Sequence, residues 1–493
     1  MKKSLVALST IVVLGAAWTG ASWYTGKLIE QRMGEVVDNA NSQLKTYLPK
    51  AGIKLDYENY QRGIFSSKIR YVLHPDDAPL KTGDEVAFQE TIDHGPFPFT
   101  QLKKFNLLPS MASVHTELEN TPVTNDLFDI TKGKSLFTAE SRISYSGDIS
   151  STIDVIPLDY QKDKSALIFA GATINADVSR DMKAITLDAN SGSVIIRGPN
   201  QLGQATETQF LGTTLKRRTH TGQFDISLGD QSLAFKQLKF IVDGKNTLLL
   251  GGFKLASHLD EKDGNLKGQI DYAMDTLKVK NSDFGAGKLS VKIDKLEAKS
   301  LKKFVDHYNQ QAKIRSQQMK NMDPVAFQQH STDILLQNLP LLLQGNPSIS
   351  IAPLSWKNSK GESTFTLNMD LNDAIQAVSP TESPIQLVAR SVKNIDANLN
   401  IPVAMAMDTA TQLTLLQGYS AEESQKVAEL QINGLAEIGQ IFKLTTLKEG
   451  VIGSRFHYAD NQVELNGNKM SLQDFIGLFG RFGAPAKDGT SAQ

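Results

Sequence analysis

The stretch DHGPFPF, residues 93–99, sets an acid beside an imidazole and follows them with a glycine and two prolines. An aspartate that orients a histidine is the arrangement a general base needs. Successive side chains of a strand point to opposite faces, so Asp93 and His94 would cooperate only where the strand had already broken into a turn. Pro96 and Pro98 supply a break, since each fixes φ and lacks a backbone donor, and each biases its predecessor away from helix. With Gly95 and Phe97 between them, the stretch is expected to act as structural punctuation. An extended run ends there, and a short helix over TQLKKFNLLPS follows with Thr100 as its cap.

Other local arrangements carry less. Ser42-x-x-Lys45 and Lys81-Thr82-Gly83 look like the paired motifs of acyl-serine enzymes, but they stand close together and Ser42 falls on the helix expected beside the membrane. Asp283-Phe284-Gly285 looks like a magnesium-binding triplet, without the His-Arg-Asp loop that would accompany it. None of the eight histidines lies within four residues of another, so no local metal pair is visible. The absence of cysteine excludes disulfides, thiolate metal sites and cysteine nucleophiles. A net charge of −1 gives no basic surplus for a nucleic-acid partner, and Lys216-Arg217-Arg218 reads as a solvated strand end. No catalytic, cofactor or metal residue is assigned, and the expectation is a protein that is not an enzyme.

The elements around this stretch begin with an export signal. Lys2 and Lys3 precede an uncharged run over residues 4–26, SLVALSTIVVLGAAWTGASWYTG. Its length suits a spanning helix of about 20 residues. Gly15 with Ala17, or Thr19 with Ala21, would suit a signal cleavage site. Trp18, Trp23 and Tyr24 gather where an aromatic belt sits, which favours a retained anchor, and the lysines put the N-terminus in the cytoplasm. Small residues four apart (Ala16 and Gly20, Ala17 and Ala21, Ser22 and Gly26) would let two such helices approach closely. Ile29, Met33, Val36, Val37, Ala40 and Leu44 then repeat at three and four, the stripe of an amphipathic helix.

The rest reads as α+β, predominantly antiparallel sheet with helical insertions. GQFDISLG, GQIDYAMDTLKVK and GKLSVKID alternate apolar and polar residues, which means one face buried and one wet. Turns are expected at Asn190-Ser191-Gly192, Asp243-Gly244, Asp263-Gly264-Asn265 and Gly285-Ala286-Gly287. Asp323-Pro324 suits the start of a helix that carries ILLQNLPLLLQ, residues 334–344, and two prolines within residues 379–384 suggest a loop. Ser420-x-x-Glu423 is a capping box, and Asn466-Gly467 is a hairpin signal. The expected segments are an anchor or signal over 1–26, an amphipathic helix over 27–48, a β-rich region over 49–300 and a helical region over 301–345. A β-hairpin region over 346–402 follows, then helices with a terminal hairpin over 403–482 and a polar tail over 483–493.

The anchor run, YQRGIFSS (60–67), DHGPFPFTQLKKFNLLPSMAS (93–113), IAPLSWKNSKGES (351–363) and NGNKMSLQDF (466–475) together resemble the YdgA-like family of enterobacterial envelope proteins. The resemblance reaches from one end of the chain to the other. It implies association with the inner membrane of Gram-negative bacteria, a periplasmic body and homodimers, and it offers no catalytic residues to carry over. The expected function is that of an anchored, non-enzymatic protein acting through its sheet surface. A first alternative is lipid binding or transfer in an apolar groove, by fold-level analogy with AsmA-like proteins. A second is an unrecognised envelope enzyme centred on Asp93-His94.

Overall fold

The computed structural model describes residues 2–47, 51–76, 85–318, 338, 341–372 and 389–482, with side chains for all of these but 1–14, 46–47, 311–318 and 479–482. The Lys81-Thr82-Gly83 triplet, Asp323-Pro324, most of 334–344, the loop at 379–384 and the tail from 483 lie outside the described residues. The chain divides into two units, Met1–Thr219 and His220–Gln493.

In the first unit, the expected anchor and amphipathic segment form one helix, α1 (Lys2–Tyr47). Among the described residues no helix is long and apolar enough to cross a membrane, and the most apolar part of α1 falls within residues 1–14. Ile29, Met33 and Val37, four residues apart, bury one stripe of α1 against Tyr71, Ile92 and Val114 of the sheet. Burial of each is worth about 2 kcal/mol. Val36 lies off that stripe and is half exposed.

Beneath α1 run β1 (Ile53–Arg62), β2 (Ser66–Pro75), β3 (Val86–His94), α2 (Phe99–Lys103), β4 (Ala112–Leu118), α3 (Asn125–Ile130), β5 (Phe137–Ile143) and β6 (Ile149–Val155). These strands pair antiparallel in sequence order. The outer strand β1 would present free backbone groups, and α1 covers part of that edge. The Asn41 amide donates to the Leu55 carbonyl and accepts from the Leu55 N–H, both at 2.8 Å.

The meander continues through β7 (Leu158–Lys162), β8 (Ser165–Phe169), β9 (Ala172–Val178), β10 (Ala184–Ser191), β11 (Val194–Pro199) and β12 (Ala205–Thr221). Short breaks divide what are effectively longer strands: β6 from β7 at Ile156-Pro157, β8 from β9 at Ala170-Gly171, and β10 from β11 at Gly192-Ser193. The halves before and after each break pair with different neighbours, β6 with β9 and β9 with β10, but β7 with β8 and β8 with β11. The breaks align across the sheet. Gly192 N donates to Gly171 O and Gly212 N to Gly192 O, while Gly171 and Gly212 have φ of +91° and +62°. The turn expected at residues 190–192 is thus a bend inside a strand, because a glycine within an extended run marks a bulge more readily than a reversal.

The second unit is built on longer strands: β13 (Ser227–Val242), β14 (Lys245–Lys262), β15 (Asn265–Val279) and β16 (Ser282–Glu297). After α4 (Ala298–Gln318) come β17 (Ser348–Asn358), β18 (Gly361–Leu371) and β19 (Val392–Pro402). Then follow α5 (Val403–Leu416), α6 (Ala421–Ile441), β20 (Thr446–Lys448), β21 (Val451–Ala459), β22 (Gln462–Leu465), β23 (Asn468–Ser471) and α7 (Leu472–Phe482). Strands β13 to β19 pair antiparallel in order, and β19 then pairs with β21. Asp243-Gly244, Asp263-Gly264 and Asn466-Gly467 all have positive φ, the backbone of a tight hairpin turn. The Ser420–Glu423 capping box opens α6.

Two expectations are corrected in this unit. GQFDISLG is not one strand: residues Gln223–Asp225 form a short 3₁₀ turn with Phe224 at φ 58°, and β13 starts at Ser227. Residues 283–287 are not a turn either, but part of β16. Gly287 faces Trp356 across the ladder, and a Cβ there would come within 2.8 Å of the Trp356 ring. The glycine makes room for an indole, which donates to the Phe284 carbonyl at 2.6 Å.

Register sorts the two faces over much of this sheet. Across β14 to β19, Leu255, Tyr272, Leu289, Leu354, Phe365 and Leu399 are aligned partners in one row. On the opposite face, Gln269, Lys292, Ser350, Asn368, Asp396 and His457 form a wholly polar row across β15 to β21. Among the described residues the apolar face is not closed over: Tyr272 is 41% and Leu354 43% exposed. An uncovered apolar face is an informative departure for a folded chain.

Candidate functional site

The stretch 93–98 marks a junction. β3 ends at His94 and α2 begins at Phe99. Asp93 and His94 leave the strand on opposite faces and do not meet. The Asp93 carboxylate accepts from the Thr100 N–H at 2.9 Å and the Thr100 hydroxyl at 2.5 Å. Thr100 is therefore not the cap expected of it: the helix begins at Phe99 with Pro98 at the cap position, and the acceptor for the Thr100 N–H comes from the preceding strand. Gly95 N donates to Met111 O at 2.7 Å, and a Cβ at Gly95 would lie 2.0 Å from Ser110 O. The Gly95–Pro96 peptide is cis. Pro98 is fully buried, whereas Phe97 is partly exposed.

His94 points the other way, beneath α1, and is 2% exposed. Its Nδ1 lies 3.0 Å from Ile64 O and its Nε2 2.8 Å from Ser67 Oγ. A neutral ring satisfies both, with Nδ1–H donating to the carbonyl and Nε2 accepting from the hydroxyl. The backbone of Gly26 lies directly on the ring, so the imidazole serves as a spacer between helix and sheet. Burial pushes its pKa down.

The sign of the consequence follows from linkage. With the folded pKa depressed, the unfolded chain binds more protons below about pH 6.5, so acid removes stability and rising pH restores it. The expected result is a thermal midpoint that falls on acidification more steeply in the parent chain than in His94→Gln. Glu90 and His258, whose pKa values are raised, act in the opposite sense but are common to both chains. Equal slopes in thermal scans across that pH range would overturn this role.

Beside His94, α1 and strands β1 to β6 enclose a partly open cavity of about 610 Å³, within the range of small-ligand sites. Its wall is mainly apolar, with Ile29, Met33, Leu55, Phe88, Ile92 and Ile143 facing it. Glu90, Thr116 and Ser141 are the polar groups on the sheet floor, while Arg32, Glu35, Asn39 and Arg180 also line it. Desolvation raises the Glu90 carboxyl, opposed by the 2.8 Å hydrogen bond that the Thr116 hydroxyl donates to it. No motif in the sequence announces this site. Its lining comes from seven elements and alternates with outward residues along each strand. The signal that existed was the spacing of Ile29 and Met33 together with Phe88 and Ile92 of β3 and Ala112 and Val114 of β4, on the inward positions that also carry Glu90 and Thr116. Among the described residues, no three His, Asp or Glu side chains are placed to hold a metal ion.

Comparison with known proteins adds a family but no activity. Over residues 1–473 the chain matches the family described as bacterial protein of unknown function (DUF945). It is 40% identical to Protein YdgA of Escherichia coli (strain K12), over 97% of each chain. It is 27% identical to the uncharacterized protein YihF of the same strain, over 97% of this chain and 98% of that one. No solved structure matches. The chain belongs to the DUF945 family.

Proposed function

We propose that this chain is an inner-membrane-anchored envelope protein, not an enzyme, whose sheet holds the apolar tail of a phospholipid-like amphiphile in the cavity beneath α1. The single observation that carries the reading is that cavity, about 610 Å³ with an apolar wall and a mixed-charge set of Arg32, Glu35 and Arg180. An acyl chain satisfies the wall, gaining about 0.8 kcal/mol for each methylene buried, and a zwitterionic head suits the charges. The open apolar row of the second unit supports the same chemistry. Anchoring rests on the uncharged run behind Lys2 and Lys3. Asp93 and His94, held apart by their own structural partners, supply no acid–base pair to a competing enzymatic reading.

Native mass spectrometry of the full chain, taken from membranes through a short-chain detergent, tests this. The expected spectrum contains an adduct of phospholipid mass, reduced several-fold in Ser141→Phe, which puts a ring into the cavity. Thermal scans establish that the variant is folded. A bare parent chain, or an adduct equally abundant in the folded variant, would overturn the proposal.

A further inference from the structure

The loop after Pro98 displays apolar side chains that no described residue covers. Phe105 is 92% exposed, Leu107 70% and Leu108 63%. This is not a frayed segment. Asn106 N donates to Gln101 O at 3.0 Å and the Asn106 amide donates to Gln101 Oε1 at 2.8 Å. Leu108 N in turn donates to Asn106 Oδ1 at 3.2 Å, and Ser110 N returns to Pro96 O. Phe105 is held at φ 55°, a conformation that bulky side chains avoid. A hydrogen-bonded loop thus spends backbone strain to aim a phenyl ring into solvent.

Its position along α1 says what the ring meets. Phe99, at the start of α2, packs its ring 5.1 Å from Trp18 of α1 and 5.5 Å from Phe65. Trp18 and Phe65 are themselves 5.3 Å apart. Trp23 and Tyr24, exposed on the next turns of α1, continue this aromatic collar, with Arg62 and Lys27 over the Trp23 ring. Tryptophan and tyrosine collect at the depth of lipid headgroups, with basic side chains beside them. Lys103 and Lys104 lie exposed between Phe99 and Phe105, Lys104 within 4.0 Å of Glu140. Apolar tips flanked by lysines match an anionic bilayer surface, in which the rings enter the acyl boundary and the ammonium groups stay among phosphates.

We infer that residues 97–108 form a bilayer-docking surface, seating the periplasmic body on the outer leaflet of the membrane that α1 enters. The inference rests on the anchoring proposed above. It gives the stretch 93–98 a second consequence: the Asp93 cap and the Gly95 contact fix the angle at which this loop leaves the sheet.

The chain contains no cysteine, so single labels can be introduced cleanly. Full-length Phe105→Cys, Leu107→Cys, Tyr24→Cys and Leu202→Cys, each carrying an environment-sensitive fluorophore, are reconstituted in phosphatidylcholine–phosphatidylglycerol vesicles. Some vesicles carry a nitroxide high on the acyl chain. The expected result is a blue shift and nitroxide quenching at residues 105 and 107 comparable to residue 24, with residue 202, 84% exposed in the β11–β12 turn, unquenched. Quenching at residue 24 alone would overturn the docking surface and leave the anchor standing. No quenching at any site would overturn both. A blue shift at 105 without quenching would assign the surface to a protein contact and also overturn the inference.

Discussion

Gly26→Ala is expected to lower the stability of the first unit by about 1–3 kcal/mol, whereas Gly34→Ala on the same helix should leave it unchanged or slightly raise it. Both replacements improve helix propensity, by up to about 1 kcal/mol. They differ in what the new methyl meets. At Gly34 nothing lies within 4 Å, but at Gly26 a Cβ falls 2.4 Å from His94 Cε1 and 2.6 Å from Nδ1. The ring cannot step aside without giving up Ile64 O or Ser67 Oγ, so either α1 lifts or at least one buried hydrogen bond breaks. Chemical denaturation and amide exchange of β2 and β3 in the full-length chain would show it. Equal midpoints for the two variants would mean that helix and ring do not bear on each other. Because α1 also roofs the cavity, Gly26→Ala is expected to lose the lipid adduct as well.

Arg70→Met should destabilise by about 3 kcal/mol, near the lower end for breaking a buried ion pair. Its guanidinium gathers three carboxylates from separate parts of the first unit: Glu58, Glu85 at 3.3 Å and Glu119 at 2.8 Å. Glu85 is 7% exposed, while Glu58 reaches solvent. The pairing raises the Arg70 pKa. Removing the cation leaves three like charges converging on one point. Those carboxylates are then easier to protonate in the folded chain than in the unfolded one, so the deficit should shrink as pH falls through the carboxylate range. Urea midpoints at neutral and acidic pH provide the check. A deficit independent of pH would show that lost packing of the arginine stem, not charge, is responsible.

Local signals in the sequence gave reliable guidance. Alternation in β15 and β16, the Ser420–Glu423 box, the Asn466-Gly467 turn and the outward side chain of His457 all depend on neighbours a few residues apart. Errors arose where the deciding partner was distant. Asp93 caps a residue seven positions later, Gly287 is small because Trp356 sits across the ladder, and Gly192 bends a strand because Gly171 and Gly212 bend beside it. The cavity was least legible of all. Its floor and roof belong to elements separated by loops of every length, and only the helical stripe hinted that a roof existed.

The aligned breaks of the first unit and the sorted faces of the second bear on how such a chain can change over time. Gaining or losing one residue inside β15 would swap Ile270 and Tyr272 onto the side of Lys292 and Lys288, inverting every side chain up to the next irregularity. Bulges absorb such a change, because they already hold an unmatched residue. Length differences among relatives should therefore collect at positions such as 156–157, 170–171 and 192–193, and at hairpin tips, leaving the strands between them constant in length while their sequences drift.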